Sequence, residues 1–200
     1  QVVTLAPFVG GDLRYQDQII TQAGIYADSS FFKVFDFPLV EGDPATALKE
    51  PYSILLKESV AIKLFGNIDP MGKTISFKDR KLDVLGVDME DEEKDLGEFM
   101  VTGIIGDNGY KSHIKFDFMI SMSTMASLQQ KEIYSYSFDD WNDIWHFYHY
   151  VLLEEQHDEA WFGSILKETS ERQYRENEDQ KAVFEPQALT AITPGKFINN

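Results

Sequence analysis

The chain has no cysteine in its 200 residues, which excludes disulfides and thiolate metal sites and leaves the compartment open. It is also poor in basic residues, with 18 Lys and Arg against 34 Asp and Glu, for a formal charge of −16. Nucleic acid needs a basic face to meet its phosphates, and an anionic membrane surface asks for the same, so this balance speaks against both. The excess acid serves solubility first and still leaves room for a basic partner. No apolar run approaches the roughly 20 residues that span a bilayer, and no signal peptide is present, so the chain on its own reads as soluble. Gly10-Gly11 is not followed by GKS or GKT, so it is no P-loop and reads as a tight turn. What remains is ordinary: 43% apolar residues and enough length to bury a core in one domain or two joined subdomains.

Residues 28–75, DSSFFKVFDFPLVEGDPATALKEPYSILLKESVAIKLFGNIDPMGKTI, hold the densest set of local signals. Asp28 and Ser29 can cap a helical turn carrying Phe31, Phe32 and Phe35, too much apolar surface to leave wet. In Gly42-Asp43-Pro44, Asp43 suits a helix N-cap and Pro44 the first helical position, giving one turn through Leu48. Ser53-Ile54-Leu55-Leu56 reads as a buried strand. Val60, Ala61, Leu64 and Phe65 recur at helical spacing, and Gly66 ends that helix. Asp69-Pro70-Met71-Gly72 is a turn that launches a strand over residues 74–77.

Elsewhere, residues 12–27 pattern as a hairpin, residues 82–87 alternate as a strand, and residues 99–105 form another. Phe116, Phe118 and Ile120 alternate before a helix over residues 121–130 with a serine cap. Residues 158–176 form the clearest helix, with Asp158 and Glu159 at its N-terminus and a stripe of Trp161, Phe162, Ile165, Leu166 and Thr169. Val183-Phe184-Glu185-Pro186 begins a final strand, so residues 148–188 read as one βαβ-like unit.

Three segments invite a chemical reading. Residues 88–95 hold six acids and one lysine. Carboxylates suit a hard cation, but the spacing lacks the EF-hand order and glycine, so a solvated loop is the reading. His113 follows Ser112, and the pair can fix a loop path by hydrogen bonds to its backbone. Residues 134–150 set Asp139, Asp140 and Asp143 beside Trp141 and Trp145, as a glycosidase site would. The competing account is a loop capped by aspartates whose tryptophans pack on a sheet. If this segment is a strand, His146 and His149 fall on opposite sides of it and cannot easily share a metal.

In order and spacing, residues 28–75 closely resemble the MacB-like periplasmic core domain of MacB/FtsX-type ABC transporter permeases. FMVTGI at 99–104, SHIKFDF at 112–118, YHYVLL at 148–153 and PQALTAI at 186–192 extend the resemblance over nearly the whole chain. Tyr110 and Lys111 stand where the family often has a proline before its Ser-His. The tryptophan-containing loop before the YHYVLL strand is a family feature and favours the packing account of Trp141 and Trp145.

The resemblance implies an α+β fold in two subdomains. A porter-like part, with a βαβ element, comprises residues 1–7 plus 143–192, its first strand and helix missing. A mostly β sabre-like part spans residues 8–142. It implies an extracytoplasmic piece whose ends continue into transmembrane helices, and an inner-membrane protein at full length. The implied role is transmission of ATP-driven movement, in efflux of toxic compounds or peptides or in lipoprotein handling. The partners are a cognate ABC ATPase, a second permease copy, and a periplasmic adaptor with an outer-membrane channel. No catalytic residue, cofactor or metal is expected. The exposed loops expected to touch partners carry Asp107, Asn108, Tyr110 and Lys111, and Asp139, Asp140, Trp141 and Asp143. Two other classes stay open: a sensor domain with a ligand pocket lined by Trp141, Trp145 and Tyr148, and a hydrolase pairing one of the three aspartates with His146 or His149.

Overall fold

In β1, Val2–Tyr15, Val9, Leu13 and Tyr15 share a face with Gly11, and the missing side chain there lets a neighbouring backbone come close: an ideal Cβ at Gly11 would lie 2.1 Å from the Lys78 carbonyl oxygen. A computed structural model describes this strand and the rest of residues 1–80, 93–107, 112–134, 140–141, 146–175 and 181–191. The chain divides into two compact units. The first is Gln1–Phe138 with Asp143–Val151, and the second is Asp139–Asn142 with Leu152–Asn200.

In the first unit β1 turns at Gln16 and Asp17 into β2, Gln18–Ala27, and α1, Phe31–Val34, follows. Then come β3, Leu39–Gly42, and β4, Ser53–Lys57, which runs straight into α2, Glu58–Phe65. β5, Thr74–Asp79, and β6, Lys94–Ile105, pair antiparallel, and β7, Phe118–Ser121, leads into α3, Met122–Gln130. The last strand of the unit is β8, Tyr148–Val151.

The pairing runs β2-β7-β4-β6-β5-β1, and β1 also pairs with β2, so these six strands close into a ring. Two neighbours in it are parallel, β2 with β7 and β4 with β6; the rest are antiparallel. β3 adds to β6, and β8 adds to the first residues of β1. Closure removes most free edges. Period-two alternation then sorts the side chains. Ile54 and Leu56, Ile75 and Phe77, and Phe118 and Ile120 share one buried cluster, while Ile25, Ala27, Leu55 and Met119 belong to another. Phe77 lies edge-on to both Phe99 and Phe118, with centroids 5.9 and 5.2 Å away. Val60 and Leu64 of α2 and Met125 and Leu128 of α3 join this first cluster. The second cluster lies around the phenylalanines of α1, with Phe31 wholly buried among Phe32, Phe35 and Phe37.

One charged residue shares the first cluster's face. Asp79 continues the Ile75, Phe77 alternation and is 1% exposed. Its Oδ2 accepts the Tyr134 hydroxyl at 2.5 Å and its Oδ1 the Gly10 N–H at 3.3 Å. Burial above all, then Tyr26 and Asp79, pushes the Tyr134 hydroxyl far above its ordinary pKa, so it stays a donor.

The sequence reading needs three corrections here. Gly10-Gly11 is no turn but mid-strand, because β1 needs a residue without Cβ against β5; the turn falls at Gln16, which takes φ 53°. The strand expected at 99–105 begins at Lys94. Residues 181–188 form no strand, so the βαβ-like unit lacks its second strand; Pro186 brings no N–H to a ladder. Residues 82–87 lie outside the described residues, as does the acidic run apart from Glu93, Lys94 and Asp95. Glu93 pairs with Lys78 and Arg80.

The α+β class is what the structure shows. Asp43 caps its turn through the Ala45 N–H, and Asp69 closes its own through Met71. Gly66 ends α2 at φ 62°. In the second unit, α4, Glu159–Gln173, starts where expected, with Asp158 accepting the Trp161 N–H at 2.8 Å. Residues 182–186 pack along it, through Ser170 to the Ala182 carbonyl and Gly163 beside Pro186. The expected apolar stripe of α4 stays largely open, with Trp161 42% and Ile165 37% exposed.

Candidate functional site

Of the eight residues expected to meet partners, the structure describes Asp107, Asp140 and Trp141; Asn108, Tyr110, Lys111, Asp139 and Asp143 lie outside the described residues. Asp107 is already engaged. Its Oδ2 accepts the Ser59 N–H at 2.6 Å and its Oδ1 the Ser59 hydroxyl at 3.0 Å, while its own N–H donates to Glu58 at 3.2 Å. The N-cap residue of α2, Lys57, has no side chain able to do this. A remote carboxylate thus caps the helix and anchors the segment that follows β6. Asp107→Ala is expected to cost about 1 kcal/mol, within the 0.5–2 range for lost caps. Lys57→Ser should restore part of it, as read by urea unfolding of both variants.

Ser112 behaves as expected, accepting the Ile114 N–H at 3.1 Å. His113 does not turn to the loop backbone. Its Nε2 lies 3.0 Å from the Tyr150 hydroxyl on β8, whose ring stands edge-on to Phe35 at 5.1 Å. Burial foremost, with Tyr148 adding, raises the Tyr150 pKa and keeps it neutral. Sequence reasoning missed this partnership, although the resemblance had marked both segments.

On the next residue, His149 Nδ1 lies 3.1 Å from Thr4 Oγ1 on β1. Asp28 sits beside them, but its oxygens hold the Thr4 N–H at 2.6 Å and the Ser30 N–H at 2.7 Å. The bonds clamp strands together; the carboxylate does not orient the ring as in a hydroxyl–imidazole–carboxylate triad. Although much of the residue's surface stays open, burial of the ring lowers the His149 pKa, against the pull of Asp28. The unfolded chain therefore binds this proton more readily than the native one. Stability from this group is fully present above the ordinary value of about 6.5 and is lost as pH falls through the native value. In denaturant titrations the midpoint should fall on acidification through that window, and His149→Gln should remove this part of the fall.

In the second unit Trp141 packs against Phe184, 6.2 Å between centroids, and its carbonyl accepts the Tyr174 hydroxyl. Trp141 is still 43% exposed. Burial, then Asp140, raises the Tyr174 pKa. An open groove of about 550 Å³ runs between α4 and residues 183–186, its floor at Gly163 and its charges Glu159, Lys167 and Glu185. Trp145, needed for the expected aromatic pocket, is outside the described residues. Among the described residues no three His, Asp or Glu side chains converge as a metal site, and no helix is long and apolar enough to cross a membrane.

The sequence model of the MacB-like periplasmic core domain matches residues 2–160. Over 86 residues the chain is 33% identical to the macrolide export ATP-binding/permease protein MacB of Neisseria gonorrhoeae, and equally to that of Neisseria meningitidis. That stretch is 42% of this chain and 13% of each relative. Among solved structures, the periplasmic region of MacB from Actinobacillus actinomycetemcomitans aligns with TM-score 0.57 and 15% identity, over 96% of this chain and 73% of that one. A domain described as a permease's from Porphyromonas gingivalis gives 0.62 and 17%, over 96% and 81%. The extracellular domain of the noncanonic ABC-type transporter YknZ from Gram-positive bacteria gives 0.53 and 16%, over 94% and 81%. At these identities the structures speak for the fold alone. The family match, covering most of the chain, goes further: the chain belongs to the MacB-like periplasmic core domain family.

Proposed function

We propose that the chain is the extracytoplasmic domain of an ABC transporter permease, passing ATP-driven movement from the membrane to periplasmic partners. The family match over residues 2–160 carries this reading. The relatives named as export ATP-binding/permease proteins give its context, and the chain spans 13% of their length. A ring filled by its own side chains, with helices packed into the same core, fits a body that moves as one piece better than a conduit. ATP binds elsewhere, on a cognate ATPase. A second permease copy stands beside it, and an adaptor with an outer-membrane channel completes the path for toxic compounds, peptides or lipoproteins. The porter-like part is residues 1–7 with 143–192, and the sabre-like part is residues 8–142. Partner contact falls to residues 107–111 and to residues 139–143.

Deleting residues 8–142 from the full-length protein tests this. Basal ATP hydrolysis should persist while export of its cargo is lost. Export that survives the deletion overturns the reading.

A further inference from the structure

We propose that β8 is a detachable strap, held to the rest of the first unit by two side-chain clasps: His113 with Tyr150, and His149 with Thr4. The inference rests on the geometry of that unit and stands whether or not the transport reading holds.

The backbone ladder of this strand is short. β8 is four residues long, lies at the edge of the sheet and pairs only with Val2–Leu5 of β1 among the described residues. Its flanks are open too, with Val2 50% and Tyr148 52% exposed. Side chains supply what the ladder lacks, and they leave β8 on opposite faces because 149 and 150 are neighbours in a strand. Tyr150 lays its ring against Phe35 and its hydroxyl against His113, which ties β8 to the α1 cluster and to the segment before β7. His149 reaches Thr4, and Thr4 is itself fixed to Asp28 by the bond from its N–H and by the Asp28 N–H to its carbonyl at 3.2 Å.

Hydrogen-bond roles alone make neither clasp acid-labile, since the Tyr150 and Thr4 hydroxyls can each donate to an imidazole or accept from it. What sets His149 apart is its surroundings. Among the described residues the charge that bears on His149 is the Asp28 carboxylate, and burial of its ring outweighs that attraction. A proton on His149 is better accommodated with β8 released, so acid favours release. Freed, its four residues add about 13 Å of chain at about 3.3 Å each before Leu152.

Hydrogen exchange of the 200-residue chain, followed by mass spectrometry, tests the strap. Val2–Leu5 and Tyr148–Val151 should exchange together, and faster than β4 and β7. Tyr150→Phe keeps the ring and removes one bond; it should speed both segments about five-fold, the equivalent of one net hydrogen bond, and leave β4 and β7 unchanged. Thr4→Val should act alike from the other face. Corrected for intrinsic rates, moving from about pH 7.5 to about 5.5 should speed both segments in the parent chain but not in His149→Gln. The proposal fails if the two segments exchange only as fast as β4 and β7. It fails equally if Tyr150→Phe leaves them unchanged, or speeds every strand alike, for then β8 opens only with the whole fold.

Discussion

Gly11→Ala should cost at least about 3 kcal/mol, the range reserved for changes a fold cannot absorb locally. An ideal Cβ at Gly11 lies 2.1 Å from the Lys78 carbonyl oxygen and 2.8 Å from the Arg80 nitrogen. Both are backbone atoms, so no rotamer change relieves the clash. β1 cannot slide aside either, since its other edge is registered against β2 from Val9 to Tyr15. The alternative is to part β1 from β5, the pairing that closes the ring. Equilibrium unfolding in urea reads the loss directly. An alanine variant within about 0.5 kcal/mol of the parent would mean that β1 and β5 do not meet as described.

Phe118→Ala should cost about 3–5 kcal/mol. Phe118 is wholly buried, and its ring lies against Phe77 and over the bare backbone of Gly24 on the parallel neighbour β2. An ideal Cβ at Gly24 falls 2.3 Å from that ring. Gly24→Ala is therefore destabilising beside Phe118, and most of that cost should vanish on the Phe118→Ala background, where the space is vacant. The double-mutant cycle should give a coupling of about 1–3 kcal/mol. Additive costs would show that the two residues do not touch.

Both predictions turn on glycines that the sequence shows without explaining. A glycine pair in a turn and one under a crossing strand look alike in one dimension, so Gly10-Gly11 reads as a turn. The real turn uses Gln16 in a left-handed conformation, and nothing in Tyr15-Gln16-Asp17 announces it. Signals confined to one or two helical turns were legible: Asp43 caps as expected, Asp158 stands at the start of α4, and Gly66 stops α2. Asp79 was legible in principle, as the third member of the Ile75, Phe77 alternation, but a charge at a strand's end is ordinarily read as its exit to solvent. The clasps of β8 were not legible, because each joins residues brought together only by closure of the fold. Asp107 shows the same limit, since its carboxylate caps a helix that starts at residue 58. Family resemblance marked the right segments and could not say which side chains meet.

The parallel pairings of the ring also set an order of events for the growing chain. β2 is complete at Ala27, yet its Gly24 must wait for Phe118, and β4 waits for β6. Contacts this far apart in sequence carry the entropy of closing a long loop before they return any burial, which places such topologies among the slower folders. A chain that emerges N-terminus first can form the β1–β2 hairpin early, but the face with Leu13 and Tyr26 is only partly covered by α2 and β5, and its cluster is incomplete until about residue 120 has followed. In that interval the hairpin is the exposed, sticky stage of biogenesis. A holding chaperone would find its target there, in the first 27 residues and not in the finished domain.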